Sequence, residues 1–159
     1  MKVMGIDPGL ERLGYGVVES VGSEYRVYGY GLVRTDKNCP TPERLKVLYE
    51  DVGALVEKYT PDVLVIEELI FSKNVTTAMV VSAVRGVVML LAAQKGLLLL
   101  EVSPSRVKKV VCGHGRATKA QIQRAVGYIL GLSDIPSPDD VADALALAMV
   151  GALYRKVDV

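Results

Sequence analysis

A chain of 159 residues with 50% hydrophobic composition can bury one sizeable core, which excludes a disordered protein and sets an expectation of a single domain over residues 1–159. The net charge is only +1, yet residues 101–125 hold Arg106, Lys108, Lys109, Arg116, Lys119 and Arg124 against Glu101 alone, a local net of +5. Cys39 and Cys112 are far apart and His114 is the single histidine, so neither a disulfide framework nor a multi-histidine metal site is suggested.

Val3-Met4-Gly5-Ile6 is too short an apolar run for a helix, and Asp7-Pro8-Gly9 closes it with one carboxylate and two turn residues. A buried strand therefore delivers Asp7 to its carboxyl end. There it either starts an ordinary Asp-Pro-Gly turn or serves a site. Because the chain opens directly on this strand, no signal peptide is read and a soluble cytoplasmic protein is expected. Leu13-Gly14-Tyr15-Gly16-Val17-Val18 reads as a returning strand, with glycines where a substrate or another strand approaches the backbone. Residues 24–35, rich in Tyr and Val, form a third strand and complete an antiparallel meander.

Thr41 as N-cap and Pro42 at the first helical position open a helix over residues 42–59. Its apolar positions, Leu45, Leu48, Tyr49, Val52, Leu55 and Val56, follow the helical period and define one buried face. Pro61 ends it. Residues 63–67 are then a β-branched run of the kind found in central parallel strands, finishing on Glu67 and Glu68. Alternation puts Val63, Val65 and Glu67 on one face, as it does Val3, Gly5 and Asp7, so parallel pairing of the two strands would bring Asp7 and Glu67 out together. Glu68 falls on the other face.

Residues 74–94 form a helix that is apolar nearly all round, with small residues at Ala78, Ser82, Ala83 and Gly86. Such a helix is buried on more than one side, either in the core or against a second copy of the chain. Arg85 and Gly86 at its middle argue against a membrane span. A strand over residues 97–102, a short basic helix over 105–112, the Gly113-His114-Gly115 loop and a Thr118-capped helix over 118–130 follow. The basic segment is either a phosphate-binding surface or a solvated helix face.

The last helix starts at Ser137-Pro138-Asp139-Asp140 and runs to about Arg155. Ser137 as N-cap with an acid three residues on resembles a capping box, which gives Asp140 a structural explanation. Asp143 has none: it is the only polar side chain from position 141 to 153, and a lone buried carboxylate is costly without a partner. Positions 140 and 143 share a helix face. Asp7, Glu67, Asp140 and Asp143 are thus candidates for one cleft. Four like charges need cations between them unless protonated, and oxygen donors without a Cys or His cluster point to Mg²⁺ or Mn²⁺. Two such ions about 3.5–4 Å apart can activate a water and stabilise the leaving oxygen in phosphodiester hydrolysis.

Residues 3–9 (Val-Met-Gly-Ile-Asp-Pro-Gly) with Gly14-Tyr15-Gly16, then Ile66-Glu67-Glu68 with Lys73-Asn74, then Ala83-Val84-Arg85-Gly86-Val87, and finally residues 140–148 (Asp-Val-Ala-Asp-Ala-Leu-Ala-Leu-Ala) resemble the RuvC family of bacterial Holliday-junction resolvases, in order and along the whole chain. The resemblance implies an α/β ribonuclease-H-like fold, a mixed five-stranded sheet flanked by helices. It implies a homodimer through the helix around 74–94 and paired symmetric nicks across four-way junction DNA, in concert with the RuvA–RuvB branch-migration complex. By motif match Asp7, Glu67, Asp140 and Asp143 correspond to the metal-binding catalytic acids, with two Mg²⁺ ions per subunit and Asp7 between them. Hydrolysis by metal-activated water would leave 5′-phosphate and 3′-hydroxyl ends, and a short thymine-containing sequence is the family's preferred cleavage site. Lys108 and Lys119 match the DNA-contacting lysines; Lys73 and Arg116 join them as basic candidates. Many members carry a base-stacking phenylalanine three residues after the catalytic glutamate, where this chain has Ile70; its one phenylalanine, Phe71, either takes over that stacking or is core.

Three other readings compete. A different ribonuclease-H-like nuclease would act on RNA or on another branched DNA. The Asp7-Pro8-Gly9 hairpin also resembles the phosphate loops of actin-like ATPases, which need a second domain and a second phosphate loop. A non-catalytic junction-binding protein would hold four acids that repel its own ligand.

Overall fold

Strand alternation decides the layering. In the computed structural model, which describes residues 1–69 and 75–154, β1 (Lys2–Asp7) sends Val3 to one hydrophobic cluster and Met4 and Ile6 to another across the sheet. β2 (Arg12–Val21) and β3 (Glu24–Arg34) extend the sheet antiparallel on one side. β4 (Val63–Glu67) and β5 (Leu98–Val102) extend it parallel on the other, giving the order β3-β2-β1-β4-β5. The mixed five-stranded sheet is the one the sequence predicts. Val3 pairs with Val63 and Ile6 with Ile66, so the two central strands run side by side and end together.

α1 (Thr41–Tyr59) and α2 (Val75–Gln94) cover the face of Met4, Ile6, Leu64 and Ile66. α3 (Pro104–Cys112), α4 (Lys119–Ile129) and α5 (Asp139–Ala152) cover the face of Val3, Val63 and Val65. α5 lies directly against β1 and β2, and all but the ends and Asp143 of its length is buried. The glycines of the hairpin make that approach possible. A Cβ on Gly5 would stand 2.0 Å from the Ala144 carbonyl oxygen, and one on Gly14 would stand 2.1 Å from the Asp140 carbonyl oxygen. The neighbour that needs those glycines is therefore a helix, where the sequence suggested a substrate or a strand.

Two helix starts differ from expectation. α1 begins at Thr41 with Pro40 at the cap position and no side-chain cap bond, because Pro42 fits equally well within the first turn. α5 begins at Asp139 with Pro138 at the cap position, after a cis Ser137–Pro138 bond; the Val141 amide donates to the Pro138 carbonyl oxygen at 3.0 Å. Ser137 makes no cap, so the capping-box explanation of Asp140 falls. α4 does carry the expected cap: the Thr118 hydroxyl accepts from the Gln121 amide while the Gln121 side chain accepts from the Thr118 amide.

α2 is long and apolar enough to cross a membrane by length and composition alone, with mean hydropathy 1.9. One side, with Ala78, Val84, Arg85, Val88, Leu91 and Ala92, is buried. Its other side exposes Val75, Met79, Met89 and Leu90. α5 ends at Ala152, short of the predicted end at Arg155, which lies outside the described residues, as do Ile70, Phe71, Lys73 and Asn74.

Candidate active site

The parallel pairing of β1 and β4 carries Asp7 and Glu67 to the same sheet edge on the face that α5 covers. Against that edge the first two turns of α5 place Asp140 and Asp143. A cleft of about 300 Å³ is lined by Asp7, Glu67, Asp143, Lys108 and Lys119, with Pro104, Val107, Ala117, Ile122 and Leu147 as its apolar wall. Asp140 stands beside the cleft, close enough for its charge to act on Asp7.

The electrostatics follow from burial. Desolvation, then repulsion from Asp143, Asp140 and Glu67, pushes the Asp7 carboxyl up to about 7, with Lys119 pulling the other way. Burial and Asp143 also raise Glu67, opposed by Lys119, Lys108 and Arg85. Burial raises Asp143 against the pull of Lys119. The Lys119 Nζ lies 2.7 Å from Asp139 Oδ2 and 3.7 Å from Asp143 Oδ2, so it serves as the site's internal counter-charge. Hydrogen bonding to Asp139 raises the Lys119 ammonium, and Lys119 in turn lowers the Asp139 carboxyl. Arg12 approaches Asp140 Oδ2 to 3.1 Å, within ion-pair range, yet that oxygen is buried and makes no hydrogen bond.

Such a cleft fits a hard divalent cation by its donors. Asp7, Glu67 and Asp143 line it and Asp140 stands at its margin, with a buried oxygen that makes no hydrogen bond. Among the described residues no three His, Cys, Asp or Glu side chains are already spaced as a chelate.

Of the sequence candidates, the structure brings together Asp7, Glu67, Asp143, Lys108 and Lys119, with Asp140 at the margin. Arg116 is exposed, beyond the residues that line the cleft. Phe71 and Lys73 lie outside the described residues. Sequence reasoning did not assign roles to Arg12, Asp139 or Arg85. Asp139, next to Asp140 and with Lys119 as its partner, was within reach of a charge-pairing argument. Arg12 and Arg85 meet their partners only through tertiary packing.

Sheet order, paired carboxylates at the ends of the central strands and an apolar helix that lays its acidic first turns across them together define a ribonuclease-H-like protein of the resolvase type. A family model described as crossover junction endodeoxyribonuclease RuvC matches residues 3–151. The crossover junction endodeoxyribonuclease RuvC of Halothermothrix orenii is 44% identical over 98% of this chain and 94% of its own length. Among solved structures, Thermus thermophilus RuvC superposes with a TM-score of 0.88 at 34% identity, covering 99% of this chain and 97% of that one. The same protein in complex with Holliday junction substrate gives 0.88 at 31% identity, over 97% and 94%. The chain belongs to the RuvC family of endonucleases.

Proposed function

We propose that this protein is a structure-selective endonuclease that resolves four-way DNA junctions by paired symmetric nicks. The observation that carries this reading is the acidic cleft: carboxylates from β1, β4 and α5 line one hollow with Lys108 and Lys119 in a chain of this family. Asp7, Glu67, Asp140 and Asp143 would hold two divalent ions, Mg²⁺ or Mn²⁺, which supply an activated water and stabilisation of the leaving oxygen.

The chain's own groups do the rest. Lys108 and Lys119 flank the carboxylates and neutralise the phosphates on either side of the reacting one. Lys119 can leave Asp143 for DNA once cations supply the positive charge. The apolar wall of Val107, Ala117, Ile122 and Leu147 keeps bulk water from the carboxylates and strengthens every charge interaction there. Hydrolysis in this arrangement leaves 5′-phosphate and 3′-hydroxyl ends that can be religated.

The exposed apolar side of α2 supports a homodimer, which sets two clefts against the two opposed strands of one junction. Work beside a RuvA–RuvB branch-migration complex in the cytoplasm completes the reading.

The decisive assay is cleavage of a synthetic mobile four-way junction, with linear duplex and RNA–DNA hybrid controls, in Mg²⁺ and in EDTA. Metal-dependent symmetric nicks confined to the junction are expected. Cleavage of the hybrid with an intact junction would move the substrate to RNA.

A further inference from the structure

Arg85 is the one charged residue counted with the core among the described residues, 7% exposed, on a helix that could have filled the position with a methionine or leucine. Burying a guanidinium is unfavourable unless its donors are used. They are. One terminal nitrogen donates to the main-chain carbonyl of Glu67, and the other is ion-paired with Glu101 on β5.

The Glu67 carbonyl belongs to the peptide that joins Glu67 to Glu68, just past the last ladder pair of β4 with β5, Glu67 with Val102. The other end of the same peptide is also held: the Glu68 amide donates to the Val102 carbonyl oxygen at 2.9 Å. With both ends of that peptide plane held, rotation of the backbone at Glu67 is restrained, and with it the direction of its Cα–Cβ bond. Arg85 comes from the sheet face opposite α5, so it supports the glutamate without entering the cleft of Lys108 and Lys119. It does line a second hollow, about 230 Å³, that shares Asp7 and Glu67 with the first.

We infer that Arg85 is a positioning residue: anchored on Glu101, it clamps the peptide after Glu67 and so steadies the Glu67 carboxylate in the cleft it shares with Asp7, where divalent ions would be held. This inference rests on the metal-dependent nuclease reading of the cleft. A planar fork is required, because a lysine ammonium at the same position is a point charge on a shorter reach and cannot hold both partners in one geometry. Glu101 matters as the charged anchor; with its side chain 42% exposed, its replacement by glutamine keeps an acceptor oxygen for Arg85 and should preserve the fold.

The test uses the full-length protein with Arg85→Lys and Glu101→Gln. Mn²⁺ binding is measured by calorimetry without DNA, and junction affinity and single-turnover cleavage in Mg²⁺ are measured separately. For Arg85→Lys a fall of roughly tenfold or more in cleavage rate and in Mn²⁺ affinity is expected, with junction affinity close to the parent's and a lower thermal midpoint, since one buried partner is left unpaired. Glu101→Gln should show the same pattern, weakened to about threefold. Parental Mn²⁺ affinity and rate in a folded Arg85→Lys protein would overturn the inference, as would a loss of junction binding equal to the loss of cutting. If Arg85→Lys does not fold, Glu101→Gln decides on the same criteria. Should the parent fail to nick junctions, the proposed substrate falls, while the Mn²⁺ titration still decides the role of Arg85.

Discussion

At the scale of single residues, the cleft is a set of charges that folding brings together at a cost. Asp7 titrates near 7 in the folded protein against an ordinary value of 3.8, so between those values the native state binds a proton that the unfolded chain does not. The contribution of Asp7 to the stability of the metal-free protein therefore falls as pH rises through that window. At about 1.4 kcal/mol for each tenfold, the ionised carboxylate costs up to roughly 4 kcal/mol, and cations recover it by taking the proton's place. Asp7→Asn is nearly isosteric and carries no charge. It should raise the metal-free thermal midpoint at about pH 8 above the parent's, flatten most of the parent's decline between about pH 5 and pH 8, and reduce junction cleavage by about a thousandfold or more while junction binding persists. Thermal melts in EDTA across that range, with gel-shift and cleavage assays, check all three. An unchanged pH profile would mean that Asp7 is not the group carrying the repulsion.

At the scale of elements, the site depends on how closely α5 lies on the β1–β2 hairpin. Gly14 faces the Asp140 carbonyl with no room for a methyl group, since an added Cβ would sit 2.1 Å from that oxygen. Gly14→Ala therefore lifts the first turn of α5, the turn that holds Asp140. Overpacking of this kind costs about 1–3 kcal/mol, and displacement of a catalytic group by about 1 Å can cost about a hundredfold in rate. The variant should melt lower and cut far more slowly; parental melting and cutting would show that the helix has freedom to shift. Much of this was legible in the sequence. Alternation along residues 3–7 and 63–67 put Asp7 and Glu67 on one face, and Asp143 stood out as a lone acid on an apolar helix. The rest was hidden for physical reasons. A glycine announces a close neighbour but not which one, and the start of α5 turns on Pro138 rather than Ser137 because two short-range signals compete within one turn. Arg85 gave no local sign that its partners would be Glu101 and the Glu67 carbonyl, because β5 and β4 meet only in the folded sheet.

At the scale of the whole molecule, the proposed symmetric nicking would require two clefts in fixed relation, and the exposed side of α2 is the surface we propose supplies it. Val75, Met79, Ser82, Ala83, Gly86 and Leu90 fall at helical spacing on one exposed side, with Val75 65%, Met79 68% and Leu90 53% exposed. The three small residues at the centre of this stripe permit close approach of a second helix, and a Cβ added at Gly86 would meet nothing within 4 Å of its own chain. A substitution there therefore disturbs association without disturbing the subunit's own packing. Gly86→Glu places a charge at the middle of the stripe, where a paired copy would bury it against its own symmetry mate, and two like charges in a desolvated contact are strongly unfavourable. The variant should retain the parent's far-ultraviolet circular dichroism and sediment as a monomer where the parent sediments as a dimer. On a four-way junction it should yield uncoupled single nicks in place of paired ones, because one cleft can reach only one strand at a time. A parent that sediments as a monomer, or a Gly86→Glu protein that remains dimeric and nicks in pairs, would remove α2 from the interface and require the two clefts to be brought together by the junction itself.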